Sequence, residues 1–186
     1  MPGTAPATWR PAEADTGSLH MELTGNPPNA EYRRFEGNRE YEDIIDRMIP
    51  LTQRIIRVFD RTLNRAWNGS ARIELLHQFL LADRTNRLLI VLHDTRQIGI
   101  ACPRLIGLAQ QFSHACSIRE TLRAAKHVQD PFVISDGSHY VHRFHYDHLR
   151  AAQGTHDVIG AQQLIERFAE IGECAGPPLA ANVTGL

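Results

Sequence analysis

Between Arg87 and Asp94 the chain reads Leu88-Leu89-Ile90-Val91-Leu92, an apolar run with no alternation. A strand with one face in water alternates apolar and polar side chains, so an unbroken apolar strand needs cover on both faces. The neighbouring sequence supplies that cover. From a start near Asn38, placed to cap a helix, Tyr41, Ile44, Ile45, Met48 and Ile49 recur at helical spacing until Pro50 ends the pattern. Ser70 is placed to cap a second helix with Ile73, Leu76, Leu80 and Leu81 on one face, closed by the break at Asp83-Arg84-Thr85-Asn86. After Asp94 or Thr95, either of which can cap, a helical stretch restarts at Pro103, and Val158–Glu173 carries Ile159, Leu164, Ile165, Phe168 and Ile171. Short β-rich runs lie between these helices at Arg54–Asp60, Ala115–Ile118 and Pro131–Ser135. Asp136-Gly137 then gives a tight turn into His139–His145, a β-hairpin, while Thr121–Val128 reads as helical. The order α-β-α-β-α-β-α-β-β-α predicts an α/β fold, a mixed β-sheet flanked by helices.

A chain of 186 residues is sized for one domain. Residues 1–30, rich in Pro, Gly, Ala and Thr, have too few large apolar groups to offset their ordering entropy and are expected to form a disordered tail. The domain is expected over 31–175, with a Gly/Pro-rich tail over 176–186. The apolar runs are too short to cross a bilayer, and Met1–Pro11 lacks the basic and apolar regions of a secretion signal, so the expectation is a cytoplasmic protein. A formal charge of -1 gives no global attraction to polyanions, so any such site must be a local patch. Cys102, Cys116 and Cys174 are odd in number and far apart, which suggests neither a disulfide framework nor zinc ligation. Lys126 is the only lysine in the chain.

Three strands end in aspartate, at Asp60, Asp94 and Asp136, and ligands of open α/β sheets gather at the carboxyl ends of strands. A magnesium-binding carboxylate cluster is one reading. The ordinary one has Asp94 capping a helix and Asp136 making a turn. His139, His142, His145 and His148 recur every third residue, which on a strand alternates faces, so only His139 with His145, or His142 with His148, would share one. Zinc needs three or four convergent ligands, and no resident metal or other cofactor is expected. Arg143 among Tyr140, Phe144 and Tyr146 offers a planar fork of donors to a phosphate or carboxylate, beside the plainer reading of a solvated face paired to Asp147. The chain has no nucleophile elbow, phosphate-binding loop, dinucleotide fingerprint or H-E-x-x-H helix. Cys102 beside Pro103 could place a thiol at a helix start, with His93 and His114 nearby in sequence, or be an inert buried cysteine.

The stretch from Tyr41 to Glu173 resembles the phospholipase D-like superfamily, and more closely a bacterial group of uncharacterised domains that looks like one half of such an enzyme. The residues that carry the resemblance are Val58-Phe59-Asp60, His77-Gln78-Phe79-Leu80, His93-Asp94, Cys102-Pro103-Arg104-Leu105, the strand and turn over Phe132–Gly137, and the final helix. Active members of that superfamily carry H-x-K-x-x-x-x-D. Aligned on Asp136, the histidine position is Gln129, the lysine position is Pro131, and the expected Gly-Ser pair falls at Arg143-Phe144. Glutamine cannot form a phosphohistidine and proline offers no cation, and Lys126 lies too far upstream in this alignment to substitute. The resemblance therefore implies the fold and argues against the activity, with no catalytic residues assigned. It also implies a homodimer, because active members pair two half-sites about a symmetric interface. The expected function is a non-catalytic binding module for a phosphate-bearing small molecule or a protein partner, with Arg143, His142, His145 and Asp136 as the ligand site. The alternatives are an enzyme using His142, His145 and Asp136 for acid–base or metal-assisted hydrolysis, and a structural homodimer.

Overall fold

The computed structural model describes residues 27–179 of the chain. Residues 1–26 and 180–186, and with them most of both expected tails, lie outside the described residues. In chain order the elements are β1 (Glu31–Glu36), α1 (Asn38–Met48), β2 (Ile55–Asp60), α2 (Ser70–Ala82), β3 (Arg87–Leu92), α3 (Ile98–Ala101), α4 (Pro103–Gln111) and β4 (Cys116–Thr121). They continue with β5 (Phe132–Ser135), β6 (His139–Arg143), β7 (Arg150–Thr155), α5 (Val158–Glu173) and β8 (Ala175–Pro178).

All eight strands join one mixed sheet in the order β1-β7-β6-β5-β2-β3-β4-β8. β2, β3 and β4 run parallel, linked through α2 and through α3 and α4. β5 is antiparallel to β2, and the meander β5-β6-β7-β1 continues antiparallel to that edge, while β8 lies antiparallel to β4. β3 sits between two parallel neighbours and is buried along most of its length, as its apolar run predicts. Ile56, Val58, Leu88, Ile90 and Ile118 face α1, α2 and α4, with Tyr41, Ile44, Leu76 and Leu105 packed among them. Phe59, Val91, Phe132, Ile134 and Tyr140 face α5 through Ala161, Leu164, Phe168 and Ile171. Among the described residues, α1, α2, α3 and α4 thus lie on one face of the sheet and α5 alone on the other.

Several local expectations are corrected. α1 and α2 start at Asn38 and Ser70 themselves, and the caps are Gly37, with φ 140, and Gly69. Neither Asp94 nor Thr95 caps a helix, since α3 begins only at Ile98. The helical reading of Thr121–Val128 fails. Thr121 ends β4 and only a single turn, Arg123–Ala125, follows. Ala175–Pro178, which the sequence pattern did not mark as a strand, pairs with β4.

Candidate functional site

The direction of each strand decides which residues can meet. β2, β3, β4 and β6 share a direction, so their carboxyl ends, together with the segment entering β5, form one edge of the sheet. A cleft of about 370 Å³ opens there, lined by Arg61, His93, Asp94, Lys126, Gln129 and Tyr146, with Arg96 and Glu120 at its rim.

His93 sits at the floor, after β3, with both ring nitrogens engaged. Nε2 is 2.6 Å from the Val128 carbonyl oxygen and Nδ1 is 2.7 Å from the Thr121 hydroxyl. A carbonyl only accepts, so Nε2 carries the proton and Nδ1 accepts from Thr121. Burial pushes the imidazole's pKa below its ordinary value, which keeps this neutral tautomer. No lone pair is left to attack phosphorus or to take a proton from water. Gln129 donates from Nε2 to the Lys126 carbonyl at 3.0 Å, and its own carbonyl accepts from the Tyr146 amide at 2.9 Å.

The cations are arranged differently. Lys126 Nζ donates to the His93 carbonyl and lies 3.6 Å from a Glu120 oxygen. The turn after β4 folds Lys126 back over the strand ends, so a residue distant by sequence alignment stands in the cleft. Arg96 is occupied by Asp94, with contacts of 2.5–3.1 Å, and this pairing holds the Asp94 carboxyl well below the usual range. Glu120 accepts from the Thr95 hydroxyl at 2.5 Å, and its pKa is lowered by that bond. Arg61 forms no ion pair among the described residues. Its guanidinium carbon lies 4.6 Å from the centre of the Tyr146 ring, and Tyr146 in turn stacks on His145 at 4.7 Å and 23°. A guanidinium placed over an aromatic ring spends none of its N–H donors on an acid and keeps them for an oxyanion.

The residues singled out from the sequence do not gather into one site. Asp136 lies at the opposite edge of the sheet, because β5 runs against β2. Its carboxylate accepts from the amides of Gln53, Arg54 and Ile55 at 2.8–2.9 Å, and its backbone takes a left-handed φ of 52° in the turn. His142 points to the α5 face, where Nε2 is 3.0 Å from Asp130, itself 2.5 Å from Arg167. Arg143 points to the other face, 4.4 Å from the Tyr41 ring centre, with a 2.8 Å bond to Asn38. Of the four, only His145 stands beside the cleft, through its stack on Tyr146. The histidine series separates likewise. His139 meets His156 at the far edge, while His145 and His148 meet beyond β6. Asp60, Asp94 and Asp136 do not converge, and no group of three or more metal-ligating residues occurs among the described residues. Cys102 is fully buried, its thiol pKa raised by that burial and its Sγ 3.4 Å from the Asn64 carbonyl. Arg61, Lys126 and Tyr146 are the residues that sequence spacing did not single out as ligand contacts. Only the rule that ligands gather at strand carboxyl ends could have pointed to Arg61, which follows Asp60 directly.

The family model that matches the chain is described as a domain of unknown function (DUF7931), and the match covers residues 37–179. No curated protein matches the chain in sequence. Among solved structures, the chain is similar to Nuc from Salmonella typhimurium, a phospholipase D family member, with a TM-score of 0.59 and 11% identity over 80% of this chain and 97% of that one. It is also similar to NucT from Helicobacter pylori, with a TM-score of 0.54 and 10% identity over 80% of this chain and 99% of that one. TrmBL2, an archaeal chromatin protein whose structure shows a novel mode of DNA binding, gives a TM-score of 0.55 and 14% identity over 86% of this chain and 56% of that one. At these identities the likeness establishes a phospholipase D-like fold.

Proposed function

The chain belongs to the DUF7931 family, and within its phospholipase D-like fold we propose a non-catalytic module that binds a phosphate-bearing ligand in the cleft at the carboxyl ends of β2, β3 and β4. The observation that carries this reading is the contrast within the cleft between a sealed histidine and an available arginine. His93 has both nitrogens engaged, and Gln129 and Pro131 stand where the resemblance places the attacking histidine and the phosphate-holding lysine. Arg61 has donors to give and no carboxylate among the described residues to give them to, beside Lys126, whose charge is shared with Glu120. Such a cleft favours an anion without supplying a nucleophile. Arg61 takes the role that the sequence reading gave to Arg143, whose guanidinium belongs to α1.

A polynucleotide is the second reading of that ligand, favoured by one further observation. A neighbouring groove on the same edge is lined by Arg34, Phe35, Phe144, His148 and Arg150, with Glu36 as its one acid, so cations and rings outnumber acids there. Basic grooves with interleaved aromatic rings suit single strands, and the similarity to a DNA-binding chromatin protein points the same way.

The test is a melting-temperature screen of the full chain against pyrophosphate, mononucleotides and short oligonucleotides, because a ligand that binds only the folded state raises the midpoint. Arg61→Ala is expected to weaken whichever ligand binds by about 1.5–3 kcal/mol, the worth of a charge-assisted hydrogen bond, while Arg143→Ala leaves affinity unchanged. Stabilisation that survives both Arg61→Ala and Lys126→Ala sinks the assignment to this cleft. Turnover of bis(p-nitrophenyl) phosphate by the purified chain, abolished by a cleft substitution, overturns the non-catalytic half.

A further inference from the structure

β2, β3 and β4 run parallel, and parallel strands are ordinarily covered on both faces. Here one face is covered along its whole length and the other along half. Toward α1, α2 and α4 the trio buries Ile56, Leu88 and Ile118. Toward α5 the carboxyl half is closed too, with Phe59 and Val91 buried in one cluster with Ala125 and Val128. On the amino half of that face, Ile55, Arg57, Arg87, Leu89, Ser117 and Arg119 are only half-buried. α5 is the only α-helix on this side among the described residues, and it packs mainly on β5 and β6. A groove of about 580 Å³ runs beside it.

The sheet contributes Arg57, Leu89 and Arg119 to the groove, and α5 walls it from Ile165 to Glu173. At 1.5 Å per residue that wall is about 12 Å long. Three strands about 4.8 Å apart give a floor roughly 14 Å wide, room for one helix of about 10–12 Å with its side chains. The floor offers side chains and no free backbone, because β2 is already paired to β5 and β4 to β8. An added strand would find no edge there, so the shape suits a helix.

Charge narrows the occupant further. Arg57 donates to the Asp136 carbonyl and Arg119 to those of Ala175 and Gly176, and neither forms an ion pair among the described residues. The Asp136 carboxylate acts on Arg57 but is itself held by three amides. Arg87, opposite Ile55 and one row before Leu89, adds a third guanidinium at the open end, bonded to the Arg84 and Asn86 carbonyls. Glu173, at the last turn of α5, is the one acid that lines the groove. Three cations and one acid surround an apolar strip of Leu89, Ile165 and Phe168.

We propose that the amino half of β2, β3 and β4 on this face docks an amphipathic helix of another protein, its apolar stripe on Leu89 and Ile165 and its acidic flank against Arg57, Arg87 and Arg119. Such a helix completes the cover that the parallel strands lack. It brings carboxylates to guanidiniums that now meet only neutral carbonyls, and arginine's planar fork suits that pairing. Ala169 and Gly172, without long side chains, let it approach α5 closely. Glu173 leaves its end of the groove to a neutral or basic residue of the partner and so fixes the direction in which the helix lies. The groove opens toward the amino ends of the strands, away from the cleft, and the proposal is independent of what the cleft binds.

The experiment is fluorescence anisotropy of the full chain with two labelled helical peptides of about 18 residues, long enough to hold a helix. Both carry a Leu/Ala stripe; one is flanked by Glu and the other by Lys. Wild type is expected to bind the Glu peptide about tenfold more tightly than the Lys peptide. Arg57→Glu with Arg87→Glu is expected to reverse that preference, a gain of binding that a misfolded chain cannot give. Arg39→Glu with Arg47→Glu, the same change of charge on exposed positions of α1, is expected to leave both affinities as they are. No binding of the Glu peptide, no preference between the peptides, or a reversal in the α1 variant each overturn the proposal. So do two other occupants: a short oligonucleotide whose binding is lost in the Arg57→Glu, Arg87→Glu variant, or a second copy of the chain, seen as a dimer in sedimentation equilibrium that this variant dissociates.

Discussion

Asp60 closes β2 on the face away from the cleft floor, within the field of Tyr41, Glu42 and Arg143. Burial is the main influence on its carboxyl and lifts the pKa to about 7, with the Arg61 amide and the Arg143 charge opposing the rise. Ionisation is therefore easier in the unfolded chain than in the folded one. Below a pH of about 4 the group is protonated in both states and costs nothing. Stability is lost as pH rises from there through 7, by up to about 1.4 kcal/mol for each unit of separation. Asp60→Asn removes the titration, so its melting temperature should match wild type near pH 4 and exceed it at pH 8. A constant difference across that range would show that Asp60 does not titrate there. Single residues are only partly legible from their neighbours in the chain. Asp136 was legible as a turn residue, and the structure bears that out, but its carboxylate's partners are 81–83 residues away and no local pattern encodes them. Lys126 is remote in the alignment and near in space because sequence spacing does not reveal that the chain reverses after Thr121.

Between elements, the most polar contact in the main core joins α1 to α2. Arg72 is 2% exposed, reaches Asp46 at 2.6 Å and Glu42 at 2.7 Å, and stacks on Trp67 at 4.9 Å. Glu42 and Asp46 keep 17% and 42% of their side chains exposed, so Arg72→Ala loses charge-assisted hydrogen bonds without stranding a desolvated acid and should destabilise the fold by about 1.5–3 kcal/mol. Urea titration measures it, and a loss under 0.5 kcal/mol would show that water replaces the guanidinium at no cost. Helices and central strands were legible because their apolar spacing is regular. β7 was not, because Arg150-Ala-Ala-Gln-Gly-Thr has little strand character. Its small residues follow from packing: the Tyr140 ring lies over Gly154, where a β-carbon would overlap it, and its hydroxyl donates to Asp157 at 2.6 Å. β8, Ala175-Gly-Pro-Pro, is hidden for another reason. Proline suits an outermost strand, where the missing amide has no ladder to serve, and Arg119 secures it through two carbonyls.

Across the molecule, protection should fall from the middle of the sheet outward. β2, β3 and β5 have hydrogen-bonded neighbours on both sides and are buried, whereas β1 and β8 each have one neighbour. Native-state hydrogen exchange should therefore be slowest at Val58, Ile90 and Val133 and fastest at Tyr32 and Arg34. Uniform protection would instead mean that the chain opens only globally. The expectation of a mixed sheet flanked by helices holds, because layer architecture follows from apolar periodicity alone. Strand order was beyond that reading, since nothing local states that β5 inserts beside β2. That insertion also orders events during synthesis. The amides of Gln53, Arg54 and Ile55 and one whole side of β2 wait for Phe132–Asp136 to leave the ribosome, some eighty residues later. The parallel trio β2-β3-β4 can assemble first, but with β2 as an open edge that the finished sheet covers, so a nascent chain stalled before Phe132 presents that edge to chaperones and to other unfinished chains.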